Sequence, residues 1–146
     1  MTLEVVVRYR TRRPWAPGPR TLRRWAELAA GRRRGVLGIR VVGSREGRAL
    51  NERWRRRAYA TNVLSFPVAP ELAGRQLGDI VVCAPVVARE AREQGRPLAA
   101  HWAHMVVHGT LHLLGFDHQR ATDARRMAGR ERALLARLGF ADPYGH

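Results

Sequence analysis

At 146 residues, with 45% hydrophobic and 27% charged residues, the chain has ordinary globular composition and is long enough to bury a core as one domain. A lone cysteine, Cys83, excludes a disulfide-stapled scaffold, and the longest apolar stretch, Leu98 to Leu114, is broken by four histidines, which excludes a bilayer span. The net charge of +15 attracts polyanions, so a nucleic-acid partner is the first reading.

All 27 basic residues are arginine, a bias that coding composition alone can produce. The scarcity of acids, 12 against 27, is the stronger sign of a nucleic-acid partner. Aromatic residues are few, so no stacking platform for single strands stands out.

The opening MTLEVVVRYR reads as a strand over Leu3 to Tyr9 and not as a signal peptide, so a cytoplasmic location is expected. Arg10 to Pro19 holds three prolines and a glycine and predicts a loop. Thr21 is placed to cap a helix to about Ala30, with Leu22, Trp25, Leu28 and Ala29 on one face. Val36 to Val42 predicts a second strand, and Ser44 is placed to cap a helix to about Arg55, with Leu50 and Trp54 one turn apart. Val63 to Val68 and Leu77 to Ala84 predict two further strands. Pro85 suits the first turn of a helix ending near Gly95. Leu98 to Leu114, apolar nearly all round, predicts a buried helix. Thr122 opens a last helix to Leu138, which Gly139 closes. The order β-α-β-α-β-β-α-α-α implies an α/β or α+β layer with a small mixed sheet.

The chemistry concentrates in HGTLHLLGFDH, residues 108 to 118. His108 and His112 are four apart on a helix, which stacks them on one face about 6 Å apart at Cβ. Gly115 permits the left-handed turn that ends a helix, after which the chain can bring His118 back to the same point. The pattern H-x-x-x-H-x-x-G-x-x-H is the ligand spacing of the metzincin proteases, and three protein ligands plus a water make an open, catalytic zinc site. Imidazole favours zinc over magnesium or calcium, with nickel, copper and iron as alternatives. A buried helix has little use for histidine unless something pairs with it.

One departure from the protease pattern matters. Glutamate, the usual general base, follows the first histidine in those enzymes, and here that position is Gly109. Peptide hydrolysis loses its proton acceptor, whereas a pocket with more room and less negative charge suits a phosphodiester.

Other residues have two readings each. Arg53, Arg55, Arg56 and Arg57 either hold phosphate through bidentate contacts or form a solvated helix end that complements the dipole. His104, one turn before His108, is a partner of a ligand, a substrate contact or a core histidine. Asp117 orients a ligand, acts as a base or caps the turn. Asp79, a charge inside an apolar strand, implies a fixed structural partner. Glu131 faces the stripe of Leu134, Leu135 and Leu138 and reads as a packing helix with a salt bridge, and Cys83 as buried filler.

HGTLHLLGFDH resembles the signature of the YbeY family of bacterial endoribonucleases. LNERWRRRAYATNVLSFP at 50 to 67 and LGDIVVCAP at 77 to 85 are similar to two further blocks of that family, and Met127, Glu131 and Leu138-Gly139 fit its final helix. The likeness covers about Leu50 to Gly139, and before that the match is in pattern only. It implies an α+β, zincin-like single domain over residues 1 to 146: a small mixed four-stranded sheet packed with about five helices and one Zn2+ per chain. It implies a zinc-dependent, single-strand-specific endoribonuclease acting in 16S rRNA 3′-end maturation and ribosome quality control, with rRNA and the small ribosomal subunit as partners and no membrane. His108, His112 and His118 fall on the family's zinc ligands. Arg55 falls on an arginine expected near the metal and the scissile phosphate, which makes Arg55 and His112 the expected catalytic pair. Arg55, Arg57 and His104 are the expected substrate contacts. Two departures are visible: Asn62 where aspartate is common, although asparagine also occurs there, and Ala128 where an acidic residue is frequent. The competing expectations are a non-catalytic rRNA-binding assembly factor with a structural zinc, and a metalloprotease, which Gly109 disfavours.

Overall fold

A computed structural model of the chain describes residues 3–55, 61–68, 74–116 and 120–145. Its elements are β1 (Leu3–Tyr9), α1 (Pro19–Ala30), β2 (Gly35–Val42), α2 (Ser44–Arg55), β3 (Val63–Pro67), β4 (Gln76–Cys83), α3 (Ala84–Gln94), α4 (Leu98–Leu113) and α5 (Ala121–Arg137). The order is the expected one, and the class is α+β. Helix α1 starts two residues before the expected cap at Thr21. Gly18 takes the extended cap conformation and Pro19 occupies the first turn, where its missing N–H costs nothing.

The four strands run in the order β1-β2-β4-β3. The pairs β1–β2 and β2–β4 are parallel, and β3 lies antiparallel on β4 at one edge. Residues one apart on a strand face opposite sides of a sheet, so each side collects its own apolar set. Leu37, Ile39 and Val41 of β2 and Ile80 and Val82 of β4 join the main core with Leu22 and Trp25 of α1, most of α4, and Met127, Leu134 and Leu135 of α5. Val42, Leu64, Val81, Cys83 and Val86 form a smaller cluster on the other side, with Leu50 of α2 against it. Cys83 is thus buried packing, as expected. Asp79 is not enclosed in apolar surroundings. It stands exposed on the outer side of the sheet, beside Arg8, Arg40 and Gln76, because the strand alternation turns it away from Ile80.

Helix α4 is buried on nearly every side, as its composition requires, and it runs between the sheet and the outer helices. It approaches β4 closely at Gly109. A Cβ there would stand 2.8 Å from Cγ2 of Ile80, itself fully buried. This corrects the idea that Gly109 gives the pocket room: the missing side chain faces the sheet, where it lets the helix backbone seat on Ile80. The Ser65 hydroxyl of β3 donates to the Gly109 carbonyl at 3.2 Å and fastens the same contact.

In an exposed helix, Gly→Ala would stabilise by about 0.5–1 kcal/mol. Here overpacking costs about 1–3 kcal/mol and outweighs that gain. We expect Gly109→Ala to lower the urea midpoint. A midpoint equal to or above that of the wild type would mean that α4 and β4 do not pack this closely.

Candidate metal centre

Four histidines run along α4 at spacings of three and four. The ring centroids of His101 and His104 lie 6.2 Å apart, those of His104 and His108 6.2 Å, and those of His108 and His112 5.9 Å. His101 and His104 are buried, at 2% and 7% exposure, whereas His108 and His112 are half-buried at the end of the row. The helix then stops as the sequence predicts. Gly115 takes a φ of 101°, its N–H reaches the His112 carbonyl at 3.1 Å, and the N–H of Phe116 reaches Leu111 at 3.1 Å. That paired closure needs a left-handed residue at its first position, which glycine supplies without strain. His118, Asp117, Arg56 and Arg57 lie outside the described residues, as does the side chain of Arg55, which closes α2. Arg53 is described, its guanidinium lying 5.6 Å from the Trp54 ring.

Beneath the histidine row sits Glu131 of α5, 1% exposed. Its Oε2 is 2.8 Å from His108 Nδ1 and 3.6 Å from His104 Nε2, and the Tyr144 hydroxyl donates to Oε1. Burial by itself would raise the carboxyl's pKa. The nearby His104 ring and hydrogen bonds from His108 and Tyr144 reverse that and hold it at about 2. Glu131 is therefore an anion, and His108 Nδ1 carries the proton that bonds to it. Such a carboxylate behind an imidazole orients the ring, fixes its tautomer and raises the basicity of Nε2, the nitrogen on the other side.

The buried end of the row is also paired. Arg96 Nη1 lies 3.1 Å from His101 Nδ1 and 3.4 Å from His104 Nδ1. Arginine only donates, so both Nδ1 atoms accept, and both rings are neutral with the proton on Nε2. His101 Nε2 then donates to Glu90 Oε1 at 2.9 Å, and His104 Nε2 donates to the Tyr144 oxygen at 3.2 Å. Burial, with the neighbouring Arg96 and His108, lowers the His104 pKa against the opposing pull of Glu131, in keeping with a neutral ring. Glu90 accepts a further bond from Asn62 Nδ2 at 3.0 Å. Burial would raise the Glu90 pKa, but the bonds from His101 and Asn62 hold it below the usual carboxylate value. The amide at position 62 thus donates to Glu90, where an aspartate would repel it. A cavity of about 760 Å³ opens beside these groups, lined by Asn62, Glu90, Arg96, His101, His104 and Tyr144 among others.

The structure thus brings His104, His108 and His112 onto one row. Among the described residues, His104, His108 and Glu131 each offer one ligand atom within 4.8 Å of the others, a group able to hold a metal ion. Sequence reasoning noticed Glu131 but gave it a generic salt bridge. The usable signal was an acid on the apolar face of α5, where no water can pair with it. Arg96, Glu90 and Tyr144 lie outside the histidine block and carried no sequence signal for this site.

Fold and site together define an α+β protein with a histidine-lined candidate metal centre backed by a buried carboxylate. The profile of the Endoribonuclease YbeY family matches residues 21–139. The chain is 57% identical over 136 residues to the Endoribonuclease YbeY of Alkalilimnicola ehrlichii, covering 88% of this chain and 82% of that one. It is 50% identical over 150 residues to the Endoribonuclease YbeY of Stenotrophomonas maltophilia, covering 97% and 93%. This chain belongs to the Endoribonuclease YbeY family. Its fold is similar to the solution structure of TM1509 from Thermotoga maritima, with a TM-score of 0.62 at 23% identity over 97% of this chain and 99% of that one.

The pairing has a pH consequence. A Glu131 pKa of about 2, against an ordinary 4.5, means that the carboxylate stabilises the fold fully above about pH 4.5. That contribution is lost as pH falls toward 2, by about 1.4 kcal/mol per unit. His104, with its pKa lowered, adds to the loss earlier, because below about pH 6.5 the unfolded chain takes up the proton that the folded ring refuses. We expect the metal-free protein to lose stability steadily on acidification, measured by urea denaturation across pH 7 to 3. Glu131→Gln should be less stable at neutral pH and show a flatter curve below pH 4.5. An acid limb equally steep in the variant would place the loss elsewhere.

Proposed function

We propose that this chain is a single zinc-dependent endoribonuclease domain that cleaves single-stranded RNA, with a role in 16S rRNA 3′-end maturation and ribosome quality control. Family membership supports the ribonuclease activity. The ribosomal role rests on the resemblance drawn from the sequence. The observation that carries the metal reading is the 2.8 Å contact between His108 Nδ1 and the buried Glu131 carboxylate, the arrangement that presents a histidine Nε2 to a metal.

His108, His112 and His118 would hold one zinc ion. The group His104, His108 and Glu131 suits this less well. Glu131 is sealed from solvent and already accepts from Tyr144 and His108, whereas a hydrolytic metal needs a position open to water and substrate. The half-buried pair His108 and His112 lies at the accessible end of the row, so the residues present fit the ion. Zinc, when bound there, supplies Lewis-acid polarisation of a phosphoryl oxygen and a water of pKa about 7.

This chain's own residues do the rest. Arg55 would neutralise charge building on the scissile phosphate, with Arg57 beside it on the RNA backbone. Glu131 holds the His108 ring in one orientation and one tautomer. His104, 7% exposed, would serve the site through Tyr144 and Glu131. The wider arginine surface, at a net charge of +15, would draw RNA in and make binding fall steeply with salt.

The test is cleavage of a labelled single-stranded RNA by wild type, His112→Ala and Arg55→Glu, with metal content read by mass spectrometry. The expected outcome is cleavage by the wild type alone, zinc lost in His112→Ala and zinc retained in Arg55→Glu. Loss of zinc in Arg55→Glu would make that arginine structural. Zinc near one per chain in the wild type, with no cleavage of any RNA and rRNA binding unchanged in His112→Ala, would mark a non-catalytic assembly factor.

A further inference from the structure

The segment after α5 returns to the buried side of the histidine row and is fastened there. Arg132 Nε reaches Asp142 Oδ2 at 3.0 Å, and its guanidinium lies 5.5 Å from the Tyr144 ring. The backbone N–H of Tyr144 donates to Asp142 Oδ1 at 2.9 Å. These contacts hold the Tyr144 ring edge-on to His104, with centroids 5.4 Å apart, and bring its hydroxyl onto Glu131 Oε1.

The hydrogen bonds here have one permitted direction. Arg96 can only donate, so His104 Nδ1 accepts and His104 Nε2 carries the proton. His104 Nε2 donates to the Tyr144 oxygen, and the Tyr144 proton is thereby directed to Glu131 Oε1. Glu131 Oε2 is left for the Nδ1 proton of His108. Reversing any link would set two protons or two lone pairs against each other. The chain from Arg96 to His108 therefore has a single ground arrangement.

We propose that Tyr144 is a positioning residue for the metal centre: its hydroxyl, set by Arg96 through His104, fixes one oxygen of Glu131 so that the other holds the His108 ring with Nε2 toward the metal. The inference rests on the zinc reading above. Without the hydroxyl, Glu131 keeps His108 as a partner but loses its second anchor. The carboxylate can then turn about its last bond, and the His108 ring follows it.

Outer hydrogen-bond partners of metal ligands change metal affinity by about 10–100-fold. Tyr144 acts one link further out, so about tenfold is expected. The experiment measures zinc affinity of the full chain by competition with a chromophoric chelator, for wild type, Tyr144→Phe and Arg132→Gln. The Nδ1–H resonance of His108 is read in the metal-free proteins by nitrogen-15 NMR. Tyr144→Phe keeps the ring between Arg132 and His104 and removes only the hydroxyl. Arg132→Gln leaves the hydroxyl but releases the segment, and it carries the test if the first variant does not fold. We expect zinc to bind about tenfold more weakly to Tyr144→Phe, less weakened in Arg132→Gln, with the His108 resonance shifted or broadened in both. A purely structural role would lower thermal stability and leave zinc affinity and the His108 resonance unchanged, and that result overturns the proposal. Zinc binding that survives His108→Ala overturns the metal reading itself. In that case the metal-free His108 resonance still decides the positioning role, with no change in Tyr144→Phe counting against it.

Discussion

A carboxylate buried to 1% exposure cannot stay charged without donors, and Glu131 is supplied by His108, Tyr144 and, at longer range, His104. An uncompensated ion in that position would cost several kcal/mol or take up a proton. The need for those donors ties three parts of the chain together: α4, which carries the histidines; α5, which carries the acid; and the segment after α5, which carries the phenol. A slip of α5 by one residue along α4 would bury a charge with no partner. The site and the packing of the helices are thus one constraint.

Helix α4 carries its histidines through the most apolar part of the molecule by pairing the imidazoles it buries, His101 and His104. At its buried end, Arg96 and Glu90 complete the bonding of His101, and Asn62 completes that of Glu90. At its accessible end, His108 is backed by Glu131, and His112 lies one turn on, at the helix terminus closed by Gly115. The same stripe therefore changes character along its length, from internal bonding to presentation. On the opposite side, Gly109 lets the helix rest directly on Ile80, so the height of the histidine row above the sheet is set by an absent side chain.

The charge distribution matches this division. The interior ionic groups are few and paired, while arginines spread over the outside, including Arg8 and Arg40 on the outer side of the sheet. An arginine surface outside and a fixed, oriented set of imidazoles inside suit a polyanion that is attracted over distance and handled at one spot.

Much of the fold was legible because it rests on local rules. Alternation over Leu3–Tyr9, the proline at the start of α3, the all-round apolar face of α4 and the glycines beyond α4 and α5 are each set by neighbours in the chain, and the element order follows from them. The histidine pair was legible for the same reason, since four residues on a helix always share a face. The first turn of α1 was misplaced because Pro19 after Gly18 outweighed Thr21 as a start signal. Other features depended on residues distant in sequence. Asp79 looked enclosed by apolar neighbours along its strand, yet the sheet leaves that side open to solvent. Gly109 looked like a change in a pocket, and only the packing of α4 on β4 shows that it faces Ile80. The hydrogen-bond partners of Glu131 lie 13 and 23 residues away, and the Tyr144 hydroxyl that His104 meets lies 40 away. By itself, then, the sequence determined which residues share a helix face and carry metal-binding chemistry, because those relations are periodic. Which acid backs which histidine, and which way each proton points, was decided by tertiary structure, because a buried charge is satisfied by whatever donors the packing brings to it.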